Sequence, residues 1–271
     1  MKRLKLFALP YIAWMVLFTV LPMFLILYYA FTDSEGAFTL QNLWRALDPM
    51  YLRILWRSVW MSAACTVICL AIGYPVAYIL SRSRYGELFS VLFILPMWMN
   101  FLLRTYAWMS LLENTGIINT MLSAMGLSTV SLLYTPQAVM LGMVYNYLPF
   151  MILPIYTILQ KQDKSLLEAA RDLGCNPIGV FTKVTLPLSV PGVISGIMMV
   201  FMPGVTTFVI SRLLGGAKQM LFGDLIEQQY LTTGNWNVGS MLAVIMLVII
   251  LISMAVLEKF GGGVKDGGGL M

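Results

Sequence analysis

The chain has 271 residues, 59% of them apolar and only 11% charged, with a mean hydropathy of +0.83. A soluble domain is nearer half apolar and a quarter charged, and 17 Lys and Arg with 12 Asp and Glu cannot coat a water-facing surface for a chain of this length, so the protein is membrane-embedded. Because the sequence contains no histidine, a His-ligated haem, an HExxH zinc site and a Ser-His-Asp triad are excluded, and an enzyme is the weaker reading.

A bilayer core takes about 20 apolar residues in a helix, and six stretches meet that need: 7–31, 58–80, 88–111, 136–159, 191–211 and 238–257. The first follows Lys2, Arg3 and Lys5 as a signal peptide would. Its apolar part is too long for one, and Tyr28 and Tyr29 spoil a small-residue cleavage site, so it is expected to stay as the first span. The outer segment 32–57 mixes charges and aromatics. Cys65 and Cys69 sit one turn apart in the second span, where sulfur acts as a small packing group. The inner connection 81–87 is a tight turn. Beyond the third span, Ile117, Ile118, Met121, Leu122 and Met125 recur at helical spacing, predicting a short helix on the outer membrane surface. The inner loop 160–190 is long and has its own pattern. The outer loop 212–237 carries Gly215, Gly216 and Gly234, with an amphipathic stretch near 221–230, and the glycine-rich tail 261–269 is expected to be flexible. The chain reads as one transmembrane domain over 1–271, without a soluble domain, a nucleotide-binding glycine motif or an internal repeat.

Orientation follows the distribution of Lys and Arg. With the N-terminus inside, 11 of the 17 lie inside, 5 outside, and Arg104 falls within a span. Both termini are therefore placed in the cytoplasm. Pro10, Pro22, Pro75, Pro96, Pro149, Pro154 and Pro203 lie within or beside the spans. In lipid, the backbone groups they free need another helix or a cavity, which suits either static kinks or a bundle that moves; as a set they favour a transporter.

The inner loop carries the most information. It reads Glu168-Ala169-Ala170-Arg171-Asp172-Leu173-Gly174, then nine residues, then Val184-Thr185-Leu186-Pro187. Residues 163–173 form a short helix with Leu166, Leu167, Ala170 and Leu173 on one face, ended by Gly174 in a left-handed cap. Asn176-Pro177 is an N-cap and first helical residue. Leu186-Pro187 is expected to break this second helix, with Pro191 opening the fifth span. Ala169 and Ala170 permit close approach of another protein, and Glu168 offers it a charge.

The spacing E-A-A, three residues, G, nine residues, an aliphatic, one residue, L-P resembles the signature loop of bacterial ABC importer permeases, with Val184 where isoleucine is usual. The resemblance implies an all-α, six-span, type I ABC importer permease fold in the bacterial inner membrane. It implies that Glu168, Ala169, Ala170, Gly174, Leu186 and Pro187 belong to a coupling helix seated on an ATP-binding subunit. ATP and Mg would bind that partner, leaving this chain non-catalytic and without a cofactor. Further segments, 39–49, Leu95-Pro96-Met97-Trp98, Leu103-Arg104-Thr105-Tyr106, 214–218 and Asn235-Trp236, are similar to spermidine/putrescine permeases of the B type. That likeness implies two ATP-binding subunits, a second related permease and an extracytoplasmic polyamine-binding protein as partners, and no nucleic acid. Relatives for opines, iron or thiamine share some of these segments.

A polyamine path would offer aromatic faces for cation–π contact and a few carboxylates. Trp44, Trp98, Tyr106 and Trp108 are candidate aromatics in the outer half, with interfacial belt or packing roles as the alternative. Glu113, Asp224 and Glu227 are candidate outer carboxylates, with contact to the binding protein or plain solvation as their alternatives. Arg104 would repel a polyamine and is expected to snorkel or to join a structural ion pair.

Overall fold

The computed structural model describes residues 10–262. Lys2, Arg3, Lys5, Lys265 and the tail from 263 onward lie outside the described residues. Eleven helices carry the described chain: α1 (Pro10–Ala30), α2 (Gln41–Ala46), α3 (Pro49–Arg82), α4 (Gly86–Trp98), α5 (Phe101–Leu112), α6 (Ile117–Ala124), α7 (Pro136–Gln160), α8 (Lys164–Asp172), α9 (Pro177–Thr206), α10 (Phe222–Leu231) and α11 (Trp236–Gly262). Five of them, α1, α3, α7, α9 and α11, are long and apolar enough to cross a bilayer, and the bent pair of α4 with α5–α6 supplies a sixth apolar stretch.

Local sequence explains where these helices start. Asp48, Thr135 and Asn176 each precede a proline in the first helical position, and each side chain accepts a backbone N–H: from Met50 at 2.8 Å, Ala138 at 3.2 Å and Gly179 at 2.7 Å. The cap satisfies an orphan donor, and proline has no N–H to lose there. Asp48 thus starts the second span nine residues before the expected position 58. Arg53 and Arg57 are therefore helical, and the 34 residues of α3 extend about 51 Å, well beyond a hydrocarbon core of about 30 Å.

The third span departs from expectation. A continuous helix over 88–111 is not formed; the chain breaks at Met99–Asn100 and turns by 88°. Asn100 restarts it by accepting the N–H of Leu102 at 2.8 Å. An asparagine is a better cap than a helix-interior residue, and the apolar run masked that signal.

The fifth span departs in the opposite sense. Leu186-Pro187 does not break the helix, and the span begins at Pro177 rather than Pro191. A π turn over Phe181–Thr185 runs directly into Leu186-Pro187. In α1 a π turn over Val16–Val20 likewise precedes Leu21-Pro22. Proline lacks the N–H of an i→i−4 bond and its ring crowds the carbonyl four residues back; widening the preceding turn relieves both faults without ending the helix. At its other end α9 stops at Thr206, short of the expected position 211, and a third π turn follows over Ser211–Gly215.

Two apolar cores hold the bundle. The larger lies where α3, α7 and α9 pack together, with Cys65, Cys69, Met143, Met151, Ile152, Ile155 and Val200 fully buried. Cys65 and Cys69 are free thiols with their sulfurs 3.9 Å apart. Gly192 lets α9 approach α7 directly: a Cβ there would lie 3.0 Å from the carbonyl oxygen of Pro154 and 3.1 Å from Cα of Ile155. Hydroxyls tie the same helices together. Ser62 donates to the Phe201 carbonyl at 2.7 Å, Tyr147 donates to that of Pro203 at 3.2 Å, and Tyr74 and Ser189 share a bond of 2.9 Å. The smaller core joins α1, α2, α10 and α11 through Ala30, Ala46, Phe222, Leu225, Val238, Met241 and Leu242. Asn42 and Asn237 close one end of it by donating to the carbonyl of Thr32 at 2.8 and 2.6 Å.

Candidate functional site

The loop between α7 and α9 is set by short-range chemistry. Asp163 caps α8 by accepting the N–H of Ser165 at 2.9 Å, and that bond holds its carboxyl below the usual carboxylate range. At the other end the N–H of Cys175 donates to Ala170 at 3.0 Å and that of Gly174 to Arg171 at 2.8 Å. This is the paired Schellman closure, and Gly174 supplies its left-handed residue with φ +83°. Asn176-Pro177 then opens α9, so the loop is one helical turn-back joined rigidly to the fifth span.

The amphipathic face of α8 is only partly covered. Ala170 is buried at 8% exposure, whereas Leu173 is 86% exposed, Leu166 48% and, one turn beyond the cap, Ile178 72%. Glu168 and Ala169 are exposed beside them. Leu186 and Pro187, expected to belong to the same site, sit on the exposed side of α9 after the π turn. The result is a projecting knob with exposed apolar tips and a carboxylate.

At the opposite end, α10 is anchored in the bundle. Its N-terminal Phe222 N–H donates to Ser58 Oγ of α3 at 2.7 Å, and the Leu221 N–H donates to Asp224 Oδ2 at 2.8 Å. Asp224 is 8% exposed, so plain solvation does not describe it. Burial pushes its pKa up to about 6, opposed by Ser211, the Leu221 N–H and the Arg212 charge, while Glu227 pushes in the same direction as burial. Glu227 pairs with Arg212 at 2.8 Å, and its other oxygen is buried with no hydrogen-bond partner.

The candidate aromatics are not gathered into one site. Trp44 on α2 and Trp98 at the end of α4 are 74% and 77% exposed, and Tyr106 is 46% exposed. Trp108 is half-buried and packs edge-on against Tyr145 with centroids 5.3 Å apart. Glu113 ends α5 exposed, its backbone carbonyl accepting from Gly116 at 2.8 Å and Asn119 at 3.3 Å. Arg104 meets neither expectation fully: it is 8% exposed, its guanidinium carbon lies 6.0 Å from the Phe101 ring centroid, and its Nε has no partner. No carboxylate pairs with it among the described residues. The Arg212–Glu227 pair and the Ser58 cap were not legible in sequence, because each joins positions that only the fold brings together.

Residues 69–265 match the family of binding-protein-dependent transport system inner membrane components. The chain belongs to this family. It is 40% identical over 247 residues to the spermidine/putrescine transport system permease protein PotB of Haemophilus influenzae, covering 88% of this chain and 86% of that protein. It is 37% identical over 248 residues to PotB of Escherichia coli K12, covering 88% and 90%. Its backbone is similar to a chain of a bacterial ABC transporter involved in the import of the acidic polysaccharide alginate, with a TM-score of 0.79 over 97% of this chain and 96% of that one, at 16% identity. At that identity the likeness concerns the fold alone. The protein is a multi-pass membrane permease of a binding-protein-dependent system.

Proposed function

We propose that this permease conducts polyamines, with spermidine and putrescine as the reference solutes, into the cell as the non-catalytic membrane subunit of an ATP-driven importer. The observation that carries the solute is the likeness, at 37–40% identity over 88% of the chain, to two permeases named for spermidine and putrescine. The projecting knob supports the energy coupling. Glu168, Ala169, Ala170 and Gly174 present the docking helix to a separate ATP-binding subunit holding ATP and Mg, with Leu186 and Pro187 on the exposed side of the fifth span, which opens directly after the knob at Asn176-Pro177. A second related permease completes the pathway, and an extracytoplasmic binding protein delivers the solute. Both termini and the knob face the cytoplasm, in keeping with the excess of Lys and Arg on that side. Trp44, Trp98 and Tyr106 leave aromatic faces open for the passing chain, and the Asp224–Glu227 end of α10 lends the outer mouth negative potential.

The test is substrate-stimulated ATPase activity and uptake in proteoliposomes holding the complete complex, with spermidine, putrescine, a thiamine-like cation and an anionic control. Stimulation by the two polyamines alone is expected. Stimulation by another solute alone would discard the polyamine and keep the loop assignment. An intact complex whose ATPase responds to no solute would remove the coupling reading itself.

A further inference from the structure

Between the inner ends of α3 and α7 and the bundle-facing side of α8 lies a cavity of about 550 Å³. Four cations line it, Arg82, Arg84, Lys164 and Arg171, against one carboxylate, Glu168. Among the described residues none of the four is in an ion pair. Outside the wall, Glu87 accepts a 3.5 Å bond from Gln160, and Asp163 and Asp172 adjoin Lys164 and Arg171 in the chain. Arg82 is held in place by Tyr78, with its guanidinium carbon 4.6 Å from the ring centroid. Thr185 lines the same cavity at 1% exposure, and its hydroxyl oxygen is buried with no hydrogen-bond partner.

These features ask for one kind of occupant. Like charges gathered around a single space repel one another, and a buried hydroxyl left without a partner keeps its desolvation cost uncompensated. A phosphate group answers both. Its several acceptor oxygens take forked bonds from arginine and a point charge from lysine, and one can accept from Thr185. The cavity sits where two spanning helices end, with Tyr78 and Leu159 forming its apolar side. Basic pockets in such positions match the headgroup layer of anionic lipids.

We propose that this cavity binds the phosphate of an anionic phospholipid headgroup, which ties α8 to the ends of α3 and α7. A lipid held there would set the position of the docking knob, so the membrane's anionic content would tune coupling. The inference concerns a ligand other than the transported solute, and its test reads binding without transport.

The experiment uses the complete purified complex in detergent, loaded with phosphatidylglycerol or with phosphatidylcholine, and counts retained lipid by native mass spectrometry. Wild type is expected to keep phosphatidylglycerol in preference to phosphatidylcholine. R84Q/K164Q, which alters exposed side chains only, should weaken that retention at least roughly tenfold, as the loss of two charge-assisted bonds implies. T185V, which keeps the shape and removes the hydroxyl, should weaken it about threefold to tenfold. Equal retention by wild type and R84Q/K164Q would overturn the site. Retention appearing only after the ATP-binding subunit is stripped away would overturn it too, since an acidic group of that subunit would then fill the cavity. Complete displacement by millimolar inorganic phosphate would overturn the lipid as source, and resistance to it would support the lipid.

Discussion

The knob's exposed apolar tips give a test of docking that leaves the permease fold alone. Leu173 and Ile178 are 86% and 72% exposed, so truncating either to alanine removes almost no packing within the chain. Each truncation deletes three carbons. At about 0.8 kcal/mol per buried CH₂ group, and scaled by the area still open, each is worth about 2 kcal/mol when a partner covers it. Together they come to about 3 kcal/mol once imperfect burial is included, or roughly 150-fold in Kd. The assay titrates the ATP-binding subunit onto the permease pair in lipid nanodiscs by interferometry, with thermal unfolding of the permease as the control. L173A/I178A should bind roughly two orders of magnitude more weakly and unfold at the wild-type temperature. Binding within about threefold of wild type, with folding unchanged, would refute the docking surface.

Asp224 predicts a pH dependence of known sign. Its folded pKa of about 6 lies above its ordinary 3.8, so the folded protein holds this proton more tightly. The stability this contributes is fully present below about pH 3.8 and is lost as pH rises through 6, about 3 kcal/mol in all. Thermal unfolding followed from pH 5 to 8 should show the last part of that loss, about 1.4 kcal/mol, in wild type and not in D224N, which keeps an oxygen for the Leu221 N–H; parallel profiles would refute the assignment. G192A brings a methyl against the backbone of Pro154 and Ile155, which cannot yield as a side chain can, and should destabilise by about 1–3 kcal/mol; an unchanged unfolding temperature would contradict the close approach. A membrane-impermeant maleimide should label the partly exposed Cys175 in inside-out vesicles and not in right-side-out ones, with Cys65 and Cys69 unreactive in both. Labelling from outside would invert the topology.

The sequence was most legible where the information is local. Gly174, Asn176 and Pro177 each state their role within four residues, and the structure places a left-handed turn, a cap and a helix start at those positions. Composition was enough for the number of apolar stretches. It failed at their ends, because a window of hydropathy cannot distinguish Asn100 capping a new helix from Asn100 tolerated inside one. It failed at Leu186-Pro187 for a related reason: proline is a breaker only if the preceding turn stays α-helical, and a π turn removes the conflict. The buried Asp224 and the basic cavity escaped because charge in a loop reads as solvated until the fold supplies Ser211 and Arg212 on one side, and the ends of α3 and α7 on the other.

The corrected fifth span changes how the knob can act. Had Pro187 broken the helix, a push on α8 would have been absorbed at a hinge near the membrane surface. Instead α9 runs unbroken for 30 residues from Pro177, about 45 Å at 1.5 Å per residue. Its far end meets Thr207, beyond which Ser211 and Arg212 face Asp224 and Glu227. Along the way it is bonded to α3 and α7 through Ser62 and Tyr147. One continuous helix therefore links the knob to the opposite end of the bundle. At that end the buried Asp224 carboxylate is held between Arg212 and the N-terminus of α10.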